Sequence, residues 1–304
     1  MDQSVQSAPR WRRTGKIVVI ASPPFLAFVY IAISLISANV LTHAKNHKDE
    51  VAPGSIGVDA KVWSTRTSDG ITLRGLYYAT QEHRRLIVLV HGMGSSRDEM
   101  AGLGRDLHGR GFDILLFDLR GHGESDPARL TMGRNERKDL RAVLAWAKSE
   151  GYTPDRIGWL GYSMGAATIL MEGATNPDFR VAILDSPFGD LPALLNSQLP
   201  KHSHLPTFFN PGILFAAHRA YGVRTDDIRP ARSARSWRGR PILLIHGDAD
   251  TTVPVRQSGE IARALGPSCT LVTIPGVEHV DAYRSNPAAY VDRAQAFFNK
   301  YLSE

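Results

Sequence analysis

A serine, an acidic pair and a histidine each follow a separate apolar run in this 304-residue chain. Ser163 lies in Gly-Tyr-Ser-Met-Gly (161–165), directly after the apolar run 157–160 and before the helix-forming stretch 166–171. Small residues around a serine at a strand-to-helix turn let a strained backbone push the hydroxyl into a cleft. Ser163 is therefore predicted to be a nucleophile.

The other two residue types come after later apolar runs. Run 242–245 leads into a loop with Asp248 and Asp250, and run 271–274 leads into a loop with His279. A serine hydroxyl is a weak nucleophile near neutral pH, so an imidazole must accept its proton and a carboxylate must orient that imidazole. We predict that His279 is the general base and that one of the two aspartates orients it.

A further apolar run, 86–90, opens into the turn His91-Gly92-Met93-Gly94. Such a turn can present a backbone N–H to a carbonyl oxygen as it becomes an oxyanion, and the residue after the nucleophile supplies a second N–H. The two donors would be the main-chain N–H groups of Met93 and Met164. The alternative is that the turn does no more than end a strand.

About residues 60–302 resemble the α/β-hydrolase superfamily, close to its serine esterase, lipase and aminopeptidase-like branch. The matching stretches are 91–94, 118–125, 161–165, 246–254 and 276–279. The resemblance implies that Ser163, Asp250 and His279 form a catalytic triad and that Met93 and Met164 are its oxyanion donors.

The same resemblance ranks the two candidate acids. The family places the acid four residues before a proline, and Asp250 stands four residues before Pro254. Asp250 is therefore preferred to Asp248. One departure is Glu278, because the family more often has a small residue before the histidine.

Strand and helix signals alternate along this region. The apolar runs are 86–90, 113–117, 157–160, 181–184, 242–245 and 271–274, and helical patterns lie at 133–149 and 288–301. The alternation predicts the α/β-hydrolase fold, with a mostly parallel central sheet covered by helices on both faces. A turn signal at 68–70 joins runs 61–66 and 71–78 as an antiparallel hairpin. All the candidate residues follow strands, where open α/β sheets place their ligands.

The interval from about 187 to 239 breaks this alternation and is too long for a plain connection, so it predicts an inserted cap. Phe208, Phe209 and Phe215 could line an apolar pocket over Ser163, or could attach the cap to the core. The second half of the cap is basic, with Arg219, Arg224, Arg229, Arg232, Arg235, Arg238 and Arg240. That face could contact anionic lipid headgroups or be an ordinary solvated surface.

Residues 17–41 contain no charged side chain and follow a basic flank, residues 1–16. A membrane-crossing helix needs roughly 20 apolar residues, whereas the apolar part of a signal peptide has about 7–15. We predict an uncleaved transmembrane signal anchor, a linker at 42–60 and a catalytic domain at 61–304. The excess of positive charge before the anchor predicts a single-pass protein with an extracytoplasmic catalytic domain. A cleaved signal peptide, ending near Thr42-His43-Ala44, is the alternative.

The amino-acid composition indicates which cofactors and partners to expect. The single cysteine, Cys269, excludes a disulfide framework, and no two histidines have metal-ligand spacing with a third ligand nearby. We expect no metal and no cofactor, and we expect structural hydrogen bonds from His91, His122 and His246. The formal charge of +6 is scattered, and no stretch resembles a nucleic-acid module, so no nucleic-acid partner is expected.

These residues predict a membrane-anchored serine hydrolase that cleaves small-molecule or lipid-like carboxylic esters through an acyl-enzyme. The same triad can cleave amides, so a peptidase or amidase is the second hypothesis. A third hypothesis, a catalytically silent binding module tethered to the membrane, would be expected to carry a damaged triad. In this sequence every triad position is filled.

Overall fold

A computed structural model describes residues 22–43, 59–82, 84–237 and 239–303. Several sequence expectations fall outside the described residues. These are the basic flank 1–16, residues 17–21 of the predicted anchor, residues 44–58 of the predicted linker, and Arg238 in the basic part of the predicted cap.

The described part of the chain alternates strands and helices, as the apolar runs predict. The strands are β1 (Lys61–Arg66), β2 (Thr72–Tyr78), β3 (Leu86–Val90), β4 (Asp113–Phe117), β5 (Ile157–Tyr162), β6 (Val181–Asp185), β7 (Ile242–Gly247) and β8 (Cys269–Ile274). The helices are α1 (Pro23–Thr42), α2 (Ala101–His108), α3 (Glu136–Ser149), α4 (Met164–Gly173), α5 (Leu191–Ser203), α6 (Asn210–Tyr221), α7 (Pro230–Ser233), α8 (Arg256–Leu265), α9 (Ala282–Ser285) and α10 (Pro287–Tyr301).

The eight strands form one sheet in the order β1-β2-β4-β3-β5-β6-β7-β8. β1 and β2 form the predicted antiparallel hairpin, and β2 also pairs antiparallel with β4. Every other neighbouring pair of strands is parallel. The chain crosses over at β3 and β4, so loops that follow β3, β5, β6 and β7 meet along one edge of the sheet.

Successive side chains of each buried strand point to opposite faces of the sheet. The hydrophobic core therefore has two parts, one on each face. In β3, Leu86, Val88 and Val90 pack on the face covered by α3, α4 and α8, and Ile87 and Leu89 pack on the face covered by α2 and α10. Both faces are therefore closed to water. This explains why β3 is apolar throughout rather than alternating with polar residues.

The segment between β6 and β7 contains α5, α6, α7 and two short 3₁₀ turns, at Thr207–Phe209 and Ala234–Trp237. The side chain of Gln198 on α5 donates to the carbonyl oxygens of Thr251 and Thr252, at 3.1 and 2.7 Å. The helical segment thus contacts the loop after β7. Whether it works as a cap over bound substrate stays a prediction.

Helix α1 is the one described helix that is long and apolar enough to cross a membrane, with a mean hydropathy of 2.1. Its small residues Ser34, Ala38 and Thr42 are buried on one side, whereas the opposite side is exposed. The buried side packs against α6, where a Cβ atom on Gly212 would lie 2.4 Å from Ser34 Oγ. A side chain at 212 would have to displace Ser34 or Tyr30, so glycine favours this close approach of the two helices.

Candidate active site

Ser163 occupies a sharp turn between β5 and α4. Its φ of 48° is in the region that favours glycine, and its N–H donates to Asp185 O at 2.9 Å. A Cβ at Gly165 would lie 2.3 Å from Val90 O, and a Cβ at Gly161 would lie 2.7 Å from Ala166 N. The flanking glycines therefore let α4 pack closely enough to hold the strained serine.

Three of the predicted residues meet at the carboxyl edge of the sheet. The Ser163 hydroxyl donates to His279 Nε2 at 2.9 Å, and His279 Nδ1–H donates to Asp250 Oδ2 at 2.6 Å. Ser163 and His279 are partly exposed, whereas the Asp250 side chain is buried. A reacting group can thus approach the serine and histidine while the carboxylate stays shielded from water.

Asp250 is held as a carboxylate by several donors. Its Oδ1 accepts the Thr252 and Val253 N–H groups at 2.9 and 2.7 Å, and its Oδ2 lies 3.1 Å from His246 Nε2. Burial favours the protonated form, but hydrogen bonds from His246, His279 and Val253 outweigh it and hold the pKa of Asp250 well below its ordinary value. Asp250 is therefore negatively charged at neutral pH and fixes the His279 tautomer.

The rival acid, Asp248, has another partner. Its Oδ1 accepts the Gly276 N–H at 2.7 Å, which ties the loop after β7 to the loop after β8. Glu278, the departure from the family pattern, is exposed and accepts the Thr251 N–H at 3.2 Å. Both carboxylates shape the loops around the site, and only Asp250 of the two candidate acids bonds to His279.

The predicted oxyanion donors are Met93 and Met164. Met164 is the first residue of α4, where helix geometry leaves an N–H without an acceptor in its own helix. Met93 lies between two anchored neighbours, because Gly92 N–H donates to Glu99 Oε2 at 2.9 Å and Gly94 N–H donates to His122 Nε2 at 3.2 Å. Gly92 also lies beside Ser163, whose Cβ is 3.6 Å from the position of a Cβ at Gly92.

Three of the other histidines, His91, His122 and His246, make the structural hydrogen bonds expected of them. His91 Nδ1–H donates to Gly92 O at 2.7 Å, and His91 Nε2 accepts the Leu119 N–H at 3.0 Å. Burial, with a smaller effect of His122, lowers the pKa of His91 to about 3, and burial also lowers the pKa of His122. Both rings are therefore neutral near pH 7 and can accept hydrogen bonds. His246 is buried and contacts Ser258 Oγ at 2.7 Å.

Sequence reasoning missed three residues that support the site. Glu99 lies in a 3₁₀ turn with no recognisable motif, so nothing in the sequence connects it to Gly92. Asp185 ends β6, and burial raises its pKa to about 6. Its Oδ1 accepts the Ser186 hydroxyl at 2.9 Å, and Ser186 Oγ accepts the Val280 N–H at 3.4 Å. For Asp185 and Ser186, the available signal in the sequence was the triplet Asp-Ser-Pro (185–187) at the end of the apolar run 181–184.

The three phenylalanines of the predicted acyl pocket lie beside α1. Phe208 and Phe209 stack on Tyr30, with ring centroids 6.0 and 5.1 Å apart, and Phe215 is 67% exposed on α6. Their part in an acyl pocket over Ser163 stays a prediction. A small cavity of about 40 Å³ does border His279, and it is lined by Glu99, Tyr162, His279, Val280, Asp281, Tyr283 and Arg284.

The described residues contain no group of three or more histidine, cysteine or acidic side chains placed to hold a metal ion. Cys269 is half-buried on the edge strand β8, and burial raises its pKa to about 12, so its thiol is protonated at neutral pH.

Known proteins share this architecture. A sequence profile of the family described as "Serine aminopeptidase, S33" matches residues 81–209. The uncharacterized protein YfhR of Salmonella typhi is 23% identical over 92% of this chain and 95% of its own length. The Pyrococcus furiosus esterase Pf2001 superposes with a TM-score of 0.73 at 24% identity, over 86% of this chain and 98% of that one.

A structure described as a membrane phospholipase A and bacterial virulence factor covers more of this chain. It superposes over 91% of this chain and 94% of its own, with a TM-score of 0.59 at 20% identity. At these identities the superpositions establish the fold alone. Together with the family profile over residues 81–209, they show that the chain has the α/β-hydrolase fold.

Proposed function

We propose that this protein is a membrane-anchored serine hydrolase that cleaves carboxylic esters through an acyl-enzyme. The observation that carries the proposal is the continuous hydrogen-bonded chain from Ser163 Oγ through His279 to Asp250, at 2.9 and 2.6 Å. Nucleophile, base and orienting acid lie within hydrogen-bonding distance of one another.

In the proposed reaction, Ser163 Oγ attacks the ester carbonyl carbon while His279 Nε2 takes the hydroxyl proton. The carbonyl oxygen becomes an oxyanion held by the N–H groups of Met93 and Met164. The carbon–oxygen bond to the alcohol then breaks, and His279 returns the proton to the departing alcohol. Water repeats these steps on the acyl-enzyme and releases the carboxylic acid and free Ser163.

Asp250 stays ionised throughout this cycle. Its low pKa and its hydrogen bond to Nδ1–H keep Nε2 of His279 free to accept the serine proton. The positive charge that forms on His279 is then balanced by the buried carboxylate. No metal or cofactor takes part in the proposed steps.

Membrane anchoring is supported by α1, whose apolar side chains Phe25, Phe28, Ile31 and Ile36 are each more than half exposed. An isolated apolar surface of this kind is costly in water and favourable in lipid. The basic flank before α1 supports a cytoplasmic N-terminus and an extracytoplasmic catalytic domain.

A serine peptidase or amidase is the second candidate, because the matching family profile is described as an aminopeptidase. The bond that is cleaved depends on where the leaving group lies relative to His279, and the triad alone does not set this. The deciding experiment compares purified full-length protein on an acyl-chain-length series of esters and on a panel of aminoacyl amides. Turnover of esters alone supports the esterase, and faster turnover of amides would replace it with the peptidase.

A further inference from the structure

Helix α6 has an apolar end that faces outward beside α1. Phe208, just before α6, and Phe215 on it are 60% and 67% exposed, and Pro211 between them is also exposed. Most of the other large apolar side chains that the described residues leave exposed lie on α1. Phe208 stacks on Tyr30 of α1, so the exposed apolar side chains of the two helices adjoin, and we call them together the α1–α6 patch.

Specific contacts hold the two helices together along their length. The Tyr30 hydroxyl donates to Phe208 O at 3.1 Å near the start of α6, and the Tyr221 hydroxyl donates to Leu35 O at 3.3 Å near its end. The start of α6 thus lies near Tyr30 and its end lies nearer the C-terminal part of α1. The two helices therefore run in the same direction. The depth of a residue of α1 in the membrane then gives the depth of the α6 residue beside it.

The contacts of the last turn of α1 show where that helix leaves the hydrocarbon. Arg129 Nη1 donates to Asn39 Oδ1 at 2.7 Å and to Thr42 Oγ1 at 3.2 Å. A guanidinium is costly inside a bilayer, so this turn lies outside it. The exposed apolar side chain of Ile36 comes three residues before Asn39, so the limit of the hydrocarbon lies between these two residues.

This boundary gives the depth of the start of α6. Tyr30 precedes Ile36 by six residues, which is about 9 Å along a helix axis. Phe208, stacked on Tyr30, would lie at a similar depth. The exposed side chains His218 and Arg219 come later on α6 and would lie at the headgroups.

We propose that the α1–α6 patch lies in the outer layer of the membrane, with Phe208 and Phe215 among the acyl chains and Arg219 among the lipid headgroups. The lipid bilayer itself thus covers the α1–α6 patch. The proposal rests on the proposed membrane anchoring by α1, and it places Phe208 and Phe215 against lipid rather than over Ser163. The catalytic domain would then be held in one fixed orientation on the membrane.

Site-directed spin labels test this arrangement in the full-length protein. Cys269→Ser removes the native thiol, and single cysteines replace Ile31, Phe208, His218 or Val62 in turn. Each labelled protein is placed in nanodiscs of phosphatidylcholine and phosphatidylglycerol, and its folding is checked by circular dichroism. Collision with oxygen, which dissolves in hydrocarbon, is compared with collision with a water-soluble nickel chelate.

The expected result is that oxygen dominates at Ile31 and Phe208, that the nickel chelate dominates at Val62, which is 80% exposed on β1, and that His218 lies between them. Nickel dominance at Phe208 with oxygen dominance at Ile31 would overturn the inference and leave the anchor intact. Nickel dominance at both positions would remove the anchor as well. Shielding of Phe208 from both reagents, with dipolar coupling between labels, would assign the patch to a second copy of the chain and overturn the inference.

Discussion

His122 Nε2 accepts a hydrogen bond from the Gly94 N–H over 3.2 Å. The contact joins the turn after β4 to the turn after β3, next to the predicted oxyanion donor Met93. His122 Nδ1–H donates to Arg120 O at 3.0 Å, so the ring bridges two backbones. Because burial lowers the pKa of His122, the ring is neutral and Nε2 is free to accept the bond.

We therefore expect His122→Ala to lower the turnover number, because a small displacement of the Met93 N–H weakens its bond to the oxyanion. A displacement of about 1 Å in an active site can cost on the order of 10²-fold in rate. KM should change little. His122→Gln should restore much of the activity, since its side-chain oxygen can accept from Gly94. Equal losses in both variants, or a loss confined to KM, would assign His122 a role other than positioning this turn.

Ser163→Ala should abolish covalent labelling by a fluorophosphonate probe and leave the fold unchanged. Persistent labelling would move the nucleophile to another residue. Ser163→Gly provides a matched comparison, because glycine tolerates the φ of 48° at this position. The glycine variant should be more stable to unfolding than the alanine variant by about 1 kcal/mol, measured by urea denaturation in detergent. A less stable glycine variant would contradict a strained backbone at the turn.

The neutral state of His91 predicts how stability depends on pH. Its pKa is lowered to about 3 in the folded protein and is near 6.5 in an unfolded chain, so below about pH 6.5 the unfolded state binds more protons. The free energy of unfolding should therefore fall as the pH drops, by about 1.4 kcal/mol at pH 5.5 from this histidine alone.

His91→Gln should reduce this loss between pH 7 and 5.5, whereas His202→Gln, at an exposed position, should not. Asp185 changes the free energy of unfolding with pH in the opposite direction, because its pKa is raised. Comparing the variants isolates the contribution of His91. Urea denaturation at the two pH values is the measurement. An unchanged pH dependence in His91→Gln would show that the ring is charged or exposed in the folded state.

The sheet and the meeting of Ser163, Asp250 and His279 could be predicted because their signals are local. Buried parallel strands need unbroken apolar runs, and runs 86–90 and 113–117 coincide with β3 and β4. Ser163, Asp250 and His279 each follow such a run, and parallel strands bring those ends together. The resemblance to a known family favoured Asp250 over Asp248, and the hydrogen bond to His279 agrees with that choice.

The remaining features depend on contacts between distant segments that leave no pattern in the sequence. Glu99 reaches Gly92 only after the turn at Arg97–Met100 has formed. The packing of Tyr30 on Phe208 and Phe209 joins residues almost 180 positions apart. The sequence predicts that residues 17–41 are apolar enough to span a membrane, but not that one side of α1 is buried against α6. Small residues at Ser34 and Ala38 become meaningful only once that partner is known.

Membrane attachment by α1 predicts that the full-length protein stays in the membrane pellet after washing at alkaline pH with carbonate, and that detergent releases it. The reason is the exposed apolar side of α1, which loses its favourable surroundings when lipid is removed. Release by carbonate alone would contradict the anchor.

Two substitutions distinguish the two candidate acids, Asp248 and Asp250. Asp250→Asn should favour the wrong tautomer of His279, because an amide can donate a hydrogen bond to Nδ1 and stabilise the proton on Nε2. The turnover number for an ester should then fall by about 10⁴, as in the well-studied serine triad. Asp248→Asn should cost far less, since Asp248 accepts the Gly276 N–H and its replacement still offers an acceptor oxygen. Both variants are compared at matched folding, measured by circular dichroism. A larger loss for Asp248→Asn would show that the acid acts through Asp248 and that the hydrogen bond between Asp250 and His279 is structural.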